Sequence, residues 1–165
     1  MYFPLFLDLS EKNVLVVGAG QIARRRIRAI FGFAEHITIV APCITEDFRL
    51  SDVVTGVTVK QRCFEENDLE GMDLVIAATD DADLNSHICA CCRRKGIPVN
   101  VCTGTRDCDF LFPSVIEKGR VVVGVNASGR DHSLVKETRK QIEALLDVDG
   151  EDSKYIPDKE TRPED

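Results

Sequence analysis

Along residues 1–146 the apolar positions switch repeatedly between the continuous runs of buried strands and the spacing of amphipathic helices. Val14-Leu-Val-Val17 runs directly into Gly18-Ala-Gly20, and a helical pattern over 21–33 follows, with Ile22, Ala23, Ile27, Ile30 and Phe31 on one face. Residues 36–40 (His-Ile-Thr-Ile-Val) read as a second strand closed by Ala41-Pro42, and the alternating 57–60 as a third. The stretch 44–51 reads as a short helical or irregular piece, and 65–71 as a polar connection. A continuous apolar run at 73–78 has the composition of a strand buried on both faces. Asp80 or Asp81 then caps a helix that runs to about Lys95 and ends at Gly96, and 97–101 is a fifth strand. This order predicts an α/β fold, a doubly wound parallel sheet of the Rossmann type. Two further strand-like runs, 111–117 and 120–125, flank Lys118-Gly119 as an antiparallel hairpin, and the loop 126–131 leads into a last helix at 133–146.

The strand–turn–helix context around Gly18-Ala-Gly-Gln-Ile-Ala23 matches a dinucleotide fingerprint of the form G-x-G-x-x-A. Gly18 permits the tight turn, Gly20 lets backbone approach a pyrophosphate, and Ala23 allows close helix–strand packing. Unpaired N–H groups at the helix start, aided by the helix dipole, face the phosphates. The alternative reading is a plain tight turn.

Composition narrows the class. At 165 residues, with 44% hydrophobic and 30% charged residues, the chain reads as one soluble globular domain with an appendage. No apolar run approaches the ~20 residues of a membrane span. The start, Met1-Tyr-Phe-Pro-Leu-Phe-Leu-Asp8, lacks the basic flank and long apolar core of a signal peptide, so a cytoplasmic location is expected. The net charge of −7 is concentrated at the end, where residues 147–165 hold eight acids against three bases, with the composition of a disordered tail. No basic stripe interleaved with aromatics points to nucleic acid. Seven cysteines (43, 63, 89, 91, 92, 102 and 108) form no framework expected of a secreted chain. Cys89-Ala-Cys91-Cys92 invites a metal reading but lacks C-x-x-C spacing, and buried reduced thiols are the simpler expectation.

In open α/β sheets the ligand lies beyond the carboxyl ends of the strands, which places 18–22, 41–43, 79–81 and 101–109 around one crevice. Val40 is followed by Ala41-Pro42-Cys43, with neither the acid that binds a ribose 2′-hydroxyl nor an Arg for a 2′-phosphate, so charge does not decide NAD against NADP. Arg24, Arg25, Arg26 and Arg28 read as a solvated helix face, with phosphate contact as the alternative. Thr79-Asp80-Asp81 reads first as a helix cap and second as acid–base chemistry. His36 opens a strand, His87 lies inside a helix with no partner implied, and His132 follows the 126–131 loop. A metal site from His132, Asp107 and Asp109 is conceivable, no metal-ligand set is assigned, and no nucleophilic triad can be read from spacing.

Six blocks together resemble the precorrin-2 dehydrogenase / sirohydrochlorin ferrochelatase family, the N-terminal module of siroheme synthases. They are Phe3-Pro-Leu-Phe-Leu-Asp-Leu9, Val16-Val-Gly-Ala-Gly20 with Arg25-Arg26, Val40-Ala-Pro42, Leu74-Val-Ile-Ala-Ala-Thr-Asp-Asp81 with Leu84-Asn85, Val99-Asn-Val101, and Cys108-Asp-Phe-Leu-Phe-Pro-Ser114. The resemblance covers about residues 1–146 and implies NAD-dependent oxidation of precorrin-2 to sirohydrochlorin, with Fe²⁺ insertion to siroheme in some members. It implies a homodimer, with three regions: 1–103 binding NAD, 104–146 serving dimerisation and substrate, and 147–165 as the tail. Carried over, Gly18, Gly20, Gln21 and Ile22 contact the cofactor phosphates, Ala41, Pro42 and Cys43 flank the adenosine ribose, and Thr79 and Asp80 approach the nicotinamide. Asn100, Ser128, Arg130 and His132 are the expected contacts to the tetrapyrrole, whose carboxylates suit the two cations.

Three departures qualify this. The family's catalytic aspartate position holds Thr103, which offers no carboxylate base or charged ligand, so Asp107 and Asp109 are the candidate substitutes. The family's S-T-x-G-x-S-P loop reads Asn126-Ala-Ser-Gly-Arg-Asp-His-Ser133. Most of the family's C-terminal helical region is also missing beyond Leu146, so part of the cleft is expected to be missing or to come from another chain. The readings are a working dehydrogenase, one that also chelates metal, or a non-catalytic dinucleotide- or tetrapyrrole-binding relative.

Overall fold

The computed structural model describes residues 2–44, 57–102, 108–129 and 131–147. Five parallel strands form one sheet in the order β3-β2-β1-β4-β5: β1 (Asn13–Val17), β2 (His36–Val40), β3 (Val57–Lys60), β4 (Leu74–Ala77) and β5 (Val99–Val101). The expected doubly wound sheet is therefore present. Register is continuous across it, with Val17 paired to Val40 on one side and to Ala77 on the other. Strand order reverses between β1 and β4, so their carboxyl ends open the crevice that such sheets use for ligands.

Two helices cover opposite faces. On α1 (Gln21–Ile30), Ala23, Ile27 and Ile30 pack with Val14, Val16, Ile37, Ile39 and Ile76. On α2 (Ala82–Lys95), Ile88, Cys89, Cys91 and Cys92 pack with Leu15, Val17, Val75, Val99 and Val101. The alternation of strand side chains between faces explains why β1 contributes Val14 and Val16 to one core and Leu15 and Val17 to the other. The cysteines of α2 behave as small apolar residues. Each of the three is buried, and burial pushes the Cys92 thiol up to about 12. No disulfide joins any of the seven cysteines, all of which are among the described residues.

Element ends differ from the sequence reading in physically simple ways. The first helix stops at Ile30, three residues short of the expected Phe33, and the N–H groups of Phe33 and Ala34 both turn back to Ile30 O. The polar connection at 65–71 contains a 3-10 turn, Glu66–Leu69, closed by a reciprocal capping box between Glu65 and Asp68. Its anchor is Asp68, 3% exposed, which accepts from the two terminal Arg62 guanidinium nitrogens, from Lys60 Nζ and from Glu65 N. The expected irregular stretch 44–51, from 45 onward, and the acidic tail from 148 lie outside the described residues.

By compactness the chain divides into two units, one comprising Phe3–Phe112 and the other Met1–Tyr2 with Pro113–Asp165. The division falls downstream of the 103–104 junction expected from the sequence. In the second unit β6 (Ser114–Lys118) pairs antiparallel with β7 (Val121–Val125), Lys118 facing Val121. The connection is thus Gly119-Arg120, not Lys118-Gly119, because φ of +57° at the first turn position favours glycine. Helix α3 (His132–Asp147) starts one residue earlier than expected, with Asp131 Oδ1 accepting from Leu134 N at 2.8 Å. Arg139 ties it to the hairpin through Ser114 Oγ at 3.0 Å and is itself held by Glu143, one turn on in the same helix, at 2.7 Å.

Candidate functional site

At the carboxyl end of β1 the chain makes its tight turn through Gly18, whose φ is +108°. The turn is pinned by Gly18 N donating to Val40 O at 2.9 Å and Ala78 N donating to Val17 O at 2.8 Å. A Cβ at residue 18 would collide with Ala78 O and lie 2.7 Å from Ala78 C, so the glycine is required by the neighbouring strand end as well as by its dihedral. Gly20 is different. It is the N-cap of α1, in extended conformation, and a Cβ there would meet nothing within 4 Å.

That open space is the observation relevant to a nucleotide. No side chain caps α1, no acid sits in its first turn, and its first ladder bond runs from Arg24 N to Gly20 O. The amides of Gln21, Ile22 and Ala23 therefore stand ahead of that first ladder bond, with the positive end of the helix dipole behind them. Gln21 and Ile22 are exposed, and Ile22 leaves 40% of its surface outward. A pyrophosphate fits such a helix start. Ala41 is buried and gives its N–H to Lys60 O at 3.3 Å, while Pro42 and Cys43 are exposed beside it.

Across the crevice the loop after β4 is locked by α2. Asn85, fully buried, accepts from Thr79 N at 3.2 Å, lies 2.8 Å from Thr79 Oγ1, and donates to Thr79 O at 3.0 Å. Asp81 caps α2 by accepting from Asp83 N and Leu84 N, so of the two expected caps Asp81 is the one used. Asp80 is exposed. The Leu84-Asn85 block thus acts through the loop it holds.

The end of β5 is tied in a similar manner. Asn100 is 3% exposed and its amide donates to Phe110 O at 2.8 Å, so this expected substrate contact is enclosed by the chain. Asp109 Oδ2 accepts from Val99 N at 2.9 Å, and Asp109 N donates to Val99 O at 3.0 Å. In this geometry the carboxylate anchors backbone. Thr103, Asp107 and Arg130 lie outside the described residues. In the second unit Ser128 has a φ of +55° and is exposed, and His132 is the exposed first residue of α3.

Two features were missed in the sequence. The arginines of α1 do not all form a solvated face. Arg26 is half-buried, its guanidinium 4.5 Å from the Phe112 ring centroid, and its Nε has no hydrogen-bond partner among the described residues. Burial raises the nearby Cys102 thiol while Arg26 opposes that rise. His87, read as unpartnered, has Glu66 Oε1 at 3.3 Å and Cys91 Sγ at 3.6 Å. The i, i+4 spacing of His87 and Cys91 was the available signal.

Fold and crevice define a dinucleotide-binding protein of the Rossmann type. Residues 5–114 match the sequence profile of the family described as "Putative NAD(P)-binding". A Ruminiclostridium josui protein described as a probable multifunctional siroheme biosynthesis protein, HemA, is 38% identical over 144 residues, which are 87% of this chain and 28% of that one. A siroheme synthase of Nitrosomonas eutropha is 34% identical over 146 residues, 88% of this chain and 31% of its own. A solved structure titled SirC, precorrin-2 dehydrogenase, superposes with a TM-score of 0.71 at 26% identity, covering 87% of this chain and 71% of that one. The chain belongs to this NAD(P)-binding family, and its similarity to siroheme-pathway proteins agrees with the resemblance carried by its sequence blocks. It spans less than a third of the length of these two curated relatives. Among the described residues no helix is long and apolar enough to cross a membrane.

Proposed function

We propose that the chain catalyses NAD-dependent oxidation of precorrin-2 to sirohydrochlorin in siroheme synthesis. The observation that carries this is the open, uncapped start of α1 at Gly20, beside a β4 loop held rigid by Asn85, in a chain whose relatives bear siroheme-pathway names. Bound there, NAD supplies a hydride acceptor. Gly20, Gln21 and Ile22 hold its phosphates through backbone, Gly18 shapes the turn that presents them because its own N–H is bonded to Val40 O, and Ala41, Pro42 and Cys43 border the adenosine ribose without a carboxylate. Thr79 and Asp80 border the nicotinamide side. Because the Thr79 side chain is engaged with Asn85, that residue shapes the site and Asp80 presents the charge. Arg130, His132 and Ser128 recognise substrate carboxylates.

Hydride transfer between bound partners depends chiefly on proximity and orientation, so a carboxylate at 103 is not needed for it. Metal insertion needs a base for the pyrrole protons, and for that role Thr103 is unsuited. NAD in preference to NADP, a cytoplasmic location and a homodimer complete the proposal. The row of exposed apolar residues Phe3, Leu5, Phe6 and Leu7 (86%, 72%, 74% and 56% exposed) supports self-association. Thr103 itself favours a second reading, a relative that binds the dinucleotide or the tetrapyrrole and has lost the chemistry.

Anaerobic NADH formation by the purified protein, with precorrin-2 generated in place and NAD⁺, tests the two. Turnover is the expected result. NAD⁺ binding without turnover selects the second reading.

A further inference from the structure

On the α2 side of the sheet, apart from the glycine turn, three potential metal-binding side chains converge. His87 and Cys91 stand one helical turn apart on α2, and Glu66 reaches them from the 3-10 turn that precedes β4. Their ligand atoms all lie within 4.8 Å of one another. We propose that Glu66, His87 and Cys91 bind a divalent transition cation of the zinc type, with water completing a four-coordinate shell.

The spacing argues for one shared ion. With Zn–N and Zn–O near 2.1 Å and Zn–S near 2.3 Å at tetrahedral angles, the ligand atoms of one zinc stand about 3.6 Å apart for N···S and about 3.4 Å for N···O. His87 Nε2 lies 3.6 Å from Cys91 Sγ and 3.3 Å from Glu66 Oε1. Two of the three separations are thus those of ligands to one ion, and the third, from Cys91 Sγ to the Glu66 carboxylate, is within 4.8 Å. The mixed N, S and O donor set suits zinc and related borderline ions better than calcium or magnesium, which prefer oxygen.

The frame is rigid. Cys91 is 1% exposed and set in the α2 core. Glu66 lies two residues from Asp68, whose buried carboxylate is bonded to Arg62 and Lys60, and the intervening backbone is fixed by the capping box. Access is also present, since the Glu66 and His87 side chains are about half exposed (52% and 50%). Arg94 Nη2 now lies 3.1 Å from Cys91 Sγ and 3.6 Å from Glu66 Oε2. Its side chain is 61% exposed, so it can leave the thiol while remaining beside Glu66 Oε2, the oxygen other than the one at 3.3 Å from His87. The bound ion would clip the β3–β4 connection to α2.

The test uses the full chain, stripped of metal and kept reduced without chelators. Titration with Co²⁺ alone should give one equivalent of a complex with tetrahedral d–d bands and a thiolate-to-metal charge-transfer band. Zn²⁺ should then displace the cobalt and raise the melting temperature. His87→Ala and Glu66→Gln, both at exposed positions, should leave the metal-free melting temperature unchanged and weaken binding at least tenfold, on the order of a supporting residue's loss or more. Cys91→Ser should remove the charge-transfer band. Absence of a one-equivalent complex in the parent chain, or full binding by His87→Ala, overturns the assignment. A charge-transfer band that survives in Cys91→Ser places the metal on another cysteine and also overturns it.

Discussion

Asn85 grips Thr79 at three points, taking its backbone N–H, pairing with its hydroxyl and donating to its carbonyl. A helix side chain thereby fixes the conformation of the loop that follows the interior strand β4, six residues earlier in the chain. Asn85→Ala leaves buried partners unsatisfied and should lower stability by about 2 kcal/mol. It should also weaken NAD⁺ binding several-fold, because the loop bordering the crevice loses its hold. Denaturant melts and a fluorescence titration with NADH read both effects. Lost stability with unchanged affinity would remove the Thr79 loop from the cofactor site.

The two turn glycines should respond in opposite ways. Gly18→Ala combines a left-handed φ with a clash against the Ala78 carbonyl, and should cost at least about 2 kcal/mol or prevent folding. Gly20→Val places its side chain in open space, at a stability cost of about 1 kcal/mol for the poorer N-cap, and should abolish dinucleotide binding. A Gly20→Val protein that binds NADH normally would refute the pyrophosphate assignment.

Acid sensitivity should be concentrated at Asp68. Its hydrogen bonds to Arg62 pull the carboxyl down to about 2, assisted by Glu65 N and Lys60 and opposed by burial. A group with a depressed folded pKa contributes stability above its unfolded value near 3.8, and that contribution is lost as pH falls from there toward about 2. Asp68→Asn should therefore lower stability at neutral pH by about 2 kcal/mol and flatten the acid limb between those two values. Urea melts across that pH range check it. An unchanged acid limb would assign the sensitivity to other carboxylates.

Restoring the family residue at 103 separates two chemistries. Thr103→Asp should raise metal insertion into sirohydrochlorin above background and leave NAD⁺ affinity as it was. If insertion stays at background, the threonine is not the reason for its absence.

Much of the sheet was legible because buried parallel strands are nearly pure apolar runs. Val14–Val17 and Leu74–Ala77 could hardly be read otherwise, and Gly18 and Gly96 punctuate their helices by residue type alone, whereas the choice of Asp81 over Asp80 as cap needed the structure. Less legible was whatever depends on contacts distant in sequence. Nothing local shows that Asn100 is consumed by Phe110 O, that Asp109 serves Val99, or that Arg26 turns inward onto Phe112. Glu66 and Asp68 share a polar stretch that reads as solvent-facing, and only the folded chain separates an exposed carboxylate from a buried one. The hairpin turn was misplaced by one residue because Lys118-Gly119 and Gly119-Arg120 differ only in the register of the two strands.

The contact between Gly18 and the Ala78 carbonyl sets the gauge of the crevice. The turn after β1 rests against the strand end after β4, and that end is clamped through Thr79 to α2. The two jaws are thus parts of one caliper, whose opening is set when the sheet folds. A substitution that thickens either jaw therefore displaces the other, so the width of the gap is a property of the folded sheet.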